Sequence, residues 1–495
     1  MRLSALFALA LTGLCCVRPF TSPQAGGPAW IELRDDHFLL RTDLPADEAR
    51  HLLRGLSKLR AVQGAVLAAP PPTERMQVWA PSQPGEQLAF ADAKPRNLAA
   101  SLFGAPSMWL AAGRSPTLQY GVLRALAEQR IQFFLPRPPF WLDEGLARYL
   151  MATRLEPDGV RAGAEVPQLG VARPAAHLKS VQIFSWTGDG PPSKHDASPL
   201  QAAARSWALV RYLAVERTNG FNAFLGKLAL GEEPDPAFAA AFPQLTPAAL
   251  DEEIRQAEAS AILAPAPEEG GGTQQMRTLS EADLHALRAE AFGVAVNNFG
   301  DGAVKREAAN SLLSDPNDAL ALELTPMKRQ ERTARFEAAA RAHPDDFRAH
   351  YLFWASANGL ADPEAGTPAD QLSRALGEGR WGPFAQGDAL DRAVSLAQGS
   401  FLPQLALAAV LLQKGDAAAA QAALGLALSL RPQEPAALDL LATAEADRNE
   451  CPAALATVQR AARALPSSAT EAWKTSFQAR RAALLRRCSS AAQGR

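Results

Sequence analysis

The sequence predicts an α+β domain followed by an all-α array of helical repeats. Three observations carry that reading. Short apolar runs alternate with amphipathic helical stretches through residues 30–255, a Pro- and Gly-rich segment without apolar periodicity follows, and the C-terminal part is Ala-rich with a period of 34 residues. A chain of 495 residues also exceeds what one core normally holds, so two or more domains are expected.

The elements follow in order. Residues 1–20, "MRLSALFALALTGLCCVRPF", place one Arg before an apolar run of signal-peptide length, too short to span a bilayer. Export to a bacterial periplasm or cell envelope is the expectation. The adjacent Cys15 and Cys16 raise a lipid anchor as an alternative, although Leu14 before Cys15 is not the small residue such processing needs. No later segment approaches twenty uninterrupted apolar residues, so no transmembrane span is expected in the mature chain. Residues 21–29 read as a leader. "HFLLRTDL" (37–44) and "MQVWAP" (76–81) read as strands, and residues 45–67 as an amphipathic helix with Pro45 at its start and acidic residues in its first turn. Two helices are expected over 118–135 and from 138 onward, and two more over 204–231, broken at Gly220. The first domain is placed at 28–258, a linker at 259–277 and the helical domain at 278–490.

In the last domain Gly415, Ala420, Ala427 and Pro432 recur as Asn449, Ala454, Ala461 and Pro466, and Phe336, Ala339 and Pro344 keep the spacing of Leu424, Ala427 and Pro432. Small residues let two helices approach closely, and proline ends the second helix. This pattern resembles the tetratricopeptide repeat. Two clear copies need neighbours, so the helices from 278 to 400 are expected to complete the stack.

Lys plus Arg number 50 against 52 Asp plus Glu, a net charge of −2 that gives no electrostatic reason for nucleic acid as a partner. Cys451 and Cys488 form no Cys-x-x-Cys or Cys/His cluster; a disulfide between them is permitted in an exported protein, and two free thiols are the favoured reading. No Gly-x-Ser-x-Gly elbow, phosphate loop or dinucleotide fingerprint appears.

The stretch that points to a site is "PPFWLDEGLARYL", residues 138–150. Trp141-Leu142-Asp143-Glu144-Gly145-Leu146-Ala147, with "HFLLRTDL" before it and "SWALVRYL" after it, resembles an uncharacterised bacterial family of gluzincin-like, zinc-metallopeptidase-related domains, often exported and often fused to tetratricopeptide repeats. The resemblance covers roughly residues 30–255. It implies a gluzincin-peptidase-like fold, with Glu144 at the position of the third zinc ligand. The two His ligands and the catalytic Glu of such enzymes sit in a His-Glu-x-x-His pentad on the preceding helix, where spacing of four puts both His on one face. Alignment across the connecting loop places Tyr120 at the first His, Gly121 at the Glu and Arg124 at the second His. None of the seven histidines forms a His-x-x-x-His pair; His177 and His195 lie in the same domain, in a loop-rich region.

The implied protein is an exported, non-catalytic binding or scaffolding protein, with no cofactor and a protein or peptide partner. One alternative is a hydrolase with an atypical site that retains Glu144 and zinc. Another is an envelope assembly factor acting only through its repeats. Without a metal, Glu144 needs a cation: Arg148 stands four residues on, and Arg124 at the second-His position is expected to reach it from the neighbouring helix.

Overall fold

The computed structural model describes residues 20–67, 69–83, 86, 99–101, 103–110, 120–157, 159–163, 178–186, 198–256, 262–264, 274–296, 302–360, 368–379, 384, 387–397, 399–466 and 469–493. The export segment with Cys15 and Cys16, together with His177 and His195, lies outside these residues.

Alternation in the first strands sets up a two-faced sheet. Strands β1 (Ile31–Arg34), β2 (Phe38–Thr42), β3 (Met76–Ala80), β4 (Ala99–Ala100), β5 (Pro106–Trp109) and β9 (Gln275–Thr278) order as β4-β5-β3-β2-β1-β9. β2, β3 and β5 run parallel, with Phe38 opposite Met76 and Leu40 opposite Val78; the other pairings are antiparallel. Leu33, Phe38, Leu40, Met76, Val78 and Met108 all point to one face. Helices α1 (Ala46–Ala65) and α2 (Tyr120–Phe134) cover it with Leu52, Leu53, Leu56, Val122 and Leu126. Pro45 is the N-cap of α1, and Asp47 and Glu48 occupy its first turn.

After α2, helix α3 (Phe140–Met151) is followed by strands β6 (Arg154–Glu156) and β7 (Gly159–Ala162) and helices α4 (Ser180–Phe184), α5 (Pro199–Glu216), α6 (Thr218–Ala229), α7 (Pro234–Ala241) and α8 (Pro247–Gln256). The break between α5 and α6 falls at Arg217, not Gly220. Gly220 sits inside the first turn of α6, where a Cβ would lie 2.5 Å from the Phe242 ring, so its smallness serves packing rather than a turn.

Two features depart from the expected linker and stack. Residues 262–264 form β8, which extends the β6–β7 hairpin, and β9 pairs with the outer edge of β1, satisfying backbone groups that would otherwise be left unpaired. Helices α9 (Glu281–Val296), α10 (Gly302–Ser314) and α11 (Ala319–Glu323) cover the second face of the sheet, where Leu284, Leu287, Val304 and Leu320 bury Trp30 and Trp79. The apolar second face needed a cover, and the helices after residue 278 supply it.

The helical stack comprises α12 (Arg329–Ala342), α13 (Phe347–Ala357), α14 (Pro368–Gly377), α15 (Asp388–Leu396), α16 (Phe401–Gln413), α17 (Ala417–Leu430), α18 (Pro435–Asp447), α19 (Cys451–Ala464) and α20 (Glu471–Gln493). Helices α16 and α17 pack as one pair and α18 and α19 as the next. Gly415 and Asn449 close α16 and α18 at φ 79° and 62°, the left-handed conformation glycine adopts freely and asparagine tolerates. Ala420, Ala427, Ala454 and Ala461 are all fully buried between helices, while Pro432 and Pro466 lie just beyond α17 and α19. Phe336 and Ala339 of α12 are buried in the same core. The two-free-thiol reading is corrected: Cys451 and Cys488 are disulfide-bonded, with Cα atoms 5.4 Å apart, because α20 folds back against α19.

Candidate functional site

The site is built by α2 and α3, which lie side by side and are joined by Leu135–Pro139. Pro139, in extended conformation, is the N-cap of α3. Trp141, Leu142, Leu146 and Leu150 anchor the helix; Trp141 stacks on Phe224 with ring centroids 5.9 Å apart. Gly145 is required by the neighbour across from it: a Cβ there would lie 2.4 Å from the Ser206 carbonyl oxygen and 2.5 Å from Val210 on α5. The Glu-Gly pair therefore couples a charged position to a close helix crossing.

Glu144 is pinned from both sides. Arg124 Nη1 donates to its Oε2 at 2.8 Å, and Arg148 Nε donates to its Oε1 at 2.7 Å. The Arg124 Nε donates to Glu128 at 2.6 Å. Each of these side chains is mostly buried: Arg124 and Arg148 retain 12% exposure, Glu144 14% and Glu128 19%. The expected Arg124–Glu144 contact is present, but through one nitrogen; the guanidinium is shared between two carboxylates instead of binding one in a fork. Burial would depress the Arg124 pKa, yet the adjacent Glu144 and Glu128 outweigh it and raise it above its ordinary value.

Asp143 joins the cluster beside Glu144. Burial, with Arg124 opposing and Glu128 and Glu144 adding repulsion, pushes its carboxyl up to about 6. Of the aligned positions, Arg124 is brought to Glu144, whereas Tyr120 begins α2 with 41% exposure and Gly121 carries no side chain to offer. Sequence reasoning missed Glu128 and assigned no role to Asp143. The signal for Glu128 was its i,i+4 spacing from Arg124; nothing in the spacing flagged Asp143.

These residues do not fit a zinc ion. Both Glu144 oxygens already accept from guanidinium groups, and two fixed cations beside the carboxylate repel a divalent one. Among the described residues no group of three or more His, Cys, Asp or Glu is arranged to hold a metal. A cavity of about 620 Å³ does occur at the α5–α6 junction, lined by residues including Arg217, Phe242 and Glu253, but no member of the Glu144 cluster lines it.

The α2–α3 unit also abuts the helical stack. Gln433 donates to the Phe134 carbonyl at the end of α2 at 3.0 Å, and Arg431 binds Glu74 through two hydrogen bonds of 2.8 and 2.9 Å. Among the described residues no helix is long and apolar enough to cross a membrane. Comparison with protein-family models finds no match for the chain, and no curated protein matches it significantly in sequence.

Proposed function

We propose that this is an exported, non-catalytic binding or scaffolding protein, in which a peptidase-like α+β unit without a metal site is joined to a protein-binding array of tetratricopeptide-like helices. The observation that carries the reading is Glu144 held between Arg124 and Arg148: the one carboxylate matching a gluzincin ligand is neutralised by side chains instead of a metal. The helix pairs with their fully buried alanines support the repeat half of the reading.

Elemental analysis after dialysis, together with a casein-type cleavage assay on the full chain, tests it. The expectation is no bound zinc and no cleavage. About one tightly held zinc per chain, lost in Glu144→Ala, overturns it.

One observation favours a different hydrolase reading, metal-independent and centred on Asp143 in place of Glu144 and zinc: a mostly buried carboxyl tuned to about 6 is the kind of group that carries acid–base chemistry. Metal-independent cleavage abolished by Asp143→Asn but not by Arg148→Ala would select that reading.

A further inference from the structure

Among the described residues two positions other than glycine take a positive φ, Asn449 at 62° and Arg137 at 47°. Asparagine tolerates the left-handed region and closes α18 as a helix cap. Arginine is opposed to it twice over. Its Cβ crowds the following carbonyl, and a proline after it pushes the backbone toward the extended region. Arg137 lies in the turn between the two site helices, "LPRPP" at 135–139, with Pro136 before it and Pro138 after it. A residue kept in such a conformation needs surroundings that impose it.

Here they come from two sides. Helix α3 is fixed to the α+β unit, where Trp141 stacks on Phe224 and Gly145 meets Ser206 of α5. The other side of the turn is fixed to the helical stack. Gln433, in the turn after α17, donates to the carbonyl of Phe134, the last residue of α2, at 3.0 Å. A second tie to α2 runs through Glu74: Arg431 binds its carboxylate, and Gln129 of α2 donates to its carbonyl at 3.3 Å. Arg137 itself donates to the Leu465 carbonyl at the C-terminal end of α19 at 2.5 Å. In return Arg463 of α19 donates to the Arg137 carbonyl at 3.4 Å and pairs with Glu233 at 2.9 Å. Prolines at 136, 138 and 139 have fixed φ and Leu135 is buried, so Arg137 takes up the closure between these anchors.

We propose that the helical stack holds this turn in its left-handed state, and thereby keeps the first turn of α3, with Glu144 beyond it, in place against Arg124. The Pro139 carbonyl accepts from the Leu142 and Asp143 amides at 2.9 and 3.0 Å, so the start of α3 depends on where the turn places Pro139. When the ends of α17 and α19 move away, Arg137 returns to extended backbone, Pro139 shifts and the first turn of α3 loosens. The turn is a two-state element through which a displacement of the stack reaches the Glu144 cluster. This coupling is independent of the binding function proposed above.

Hydrogen exchange on the full chain, read by mass spectrometry at the amides of Leu142–Gly145 with those of α5 as reference, tests it. Gln433→Ala with Arg463→Ala removes the grip of the stack and should speed exchange at these amides by at least about ten-fold. Arg137→Gly added to that pair should return the rate to within about three-fold of wild type, because glycine takes the left-handed region without a Cβ clash. Loss of contacts alone predicts the opposite, since Arg137→Gly deletes one more hydrogen bond to α19. Exchange that is unchanged in the first variant, or not restored in the second, overturns the proposal. Should the Gln433 and Arg463 variant fail to fold, Arg137→Gly and Arg137→Ala as single changes decide. Both delete the bond to Leu465, and alanine alone keeps the left-handed penalty. The glycine variant should therefore unfold at a midpoint at least about 2 °C above the alanine variant. Equal midpoints, or alanine the higher, overturn the proposal as well.

Discussion

Removing Arg124 and Glu144 singly and together measures what holds the α2–α3 site closed. At a separation near 4 Å between charge centres and an effective dielectric near 20, a pair of unit charges attracts by about 4 kcal/mol, most of it offset by the loss of hydration. Neither partner is left alone by a single change. Without Arg124, Glu144 keeps Arg148; without Glu144, Arg124 keeps Glu128. The cost of each single substitution to alanine should therefore fall below the 3–5 kcal/mol typical of a fully orphaned buried charge, at about 1–3 kcal/mol, with a coupling of about 1–2 kcal/mol between them. Urea unfolding followed by tryptophan fluorescence and by far-UV circular dichroism gives the four stabilities, provided the two transitions coincide. A coupling below about 0.5 kcal/mol would mean that the contact contributes nothing beyond an exposed pair and would refute the reasoning.

Three further outcomes are expected. The Asp143 carboxyl titrates higher in the folded chain (about 6) than its ordinary value of 3.8, so the folded state binds the extra proton between those values and stability falls as pH rises through that window. Asp143→Asn should accordingly stabilise the protein at pH 7.5, by on the order of 1–3 kcal/mol, with little effect at pH 4; an equal effect at both values contradicts the assignment. Ala427→Phe, at a fully buried helix–helix contact, should overpack the stack and cost about 1–3 kcal/mol, and an unchanged unfolding midpoint would argue against the repeat packing. Cys451→Ser opens a cross-link spanning 37 residues and should cost about 3–4 kcal/mol by chain entropy, read as a lower midpoint under non-reducing conditions. Wild type and variant unfolding alike in the absence of reductant would show the bond does not form in solution.

Much of the local structure was legible. Helix pairs in the last part of the chain follow from a repeated Gly or Asn, whose left-handed turn is a property of single residues, and from alanines whose burial the period of 34 anticipates. The Arg148–Glu144 pair follows from helical spacing alone. Arg124 meeting Glu144 was legible only through the alignment of two helices suggested by the "WLDEGLA" stretch, because twenty residues of separation carry no distance information by themselves. The sheet's second face could not be assigned to a partner: Trp79 announces an apolar neighbour, but that the neighbour is α9–α11 depends on where the chain returns. For the same reason the segment read as a linker supplies β8 and β9, since strand pairing is decided by an open edge nearby and not by the strand's own composition. The bond between Cys451 and Cys488 and the seat of α14 against α16, α18 and α20 belong to that second class. Local propensity and period determine which residues form a helix and which face is apolar; which distant surface covers that face is settled only when the whole chain competes to bury it.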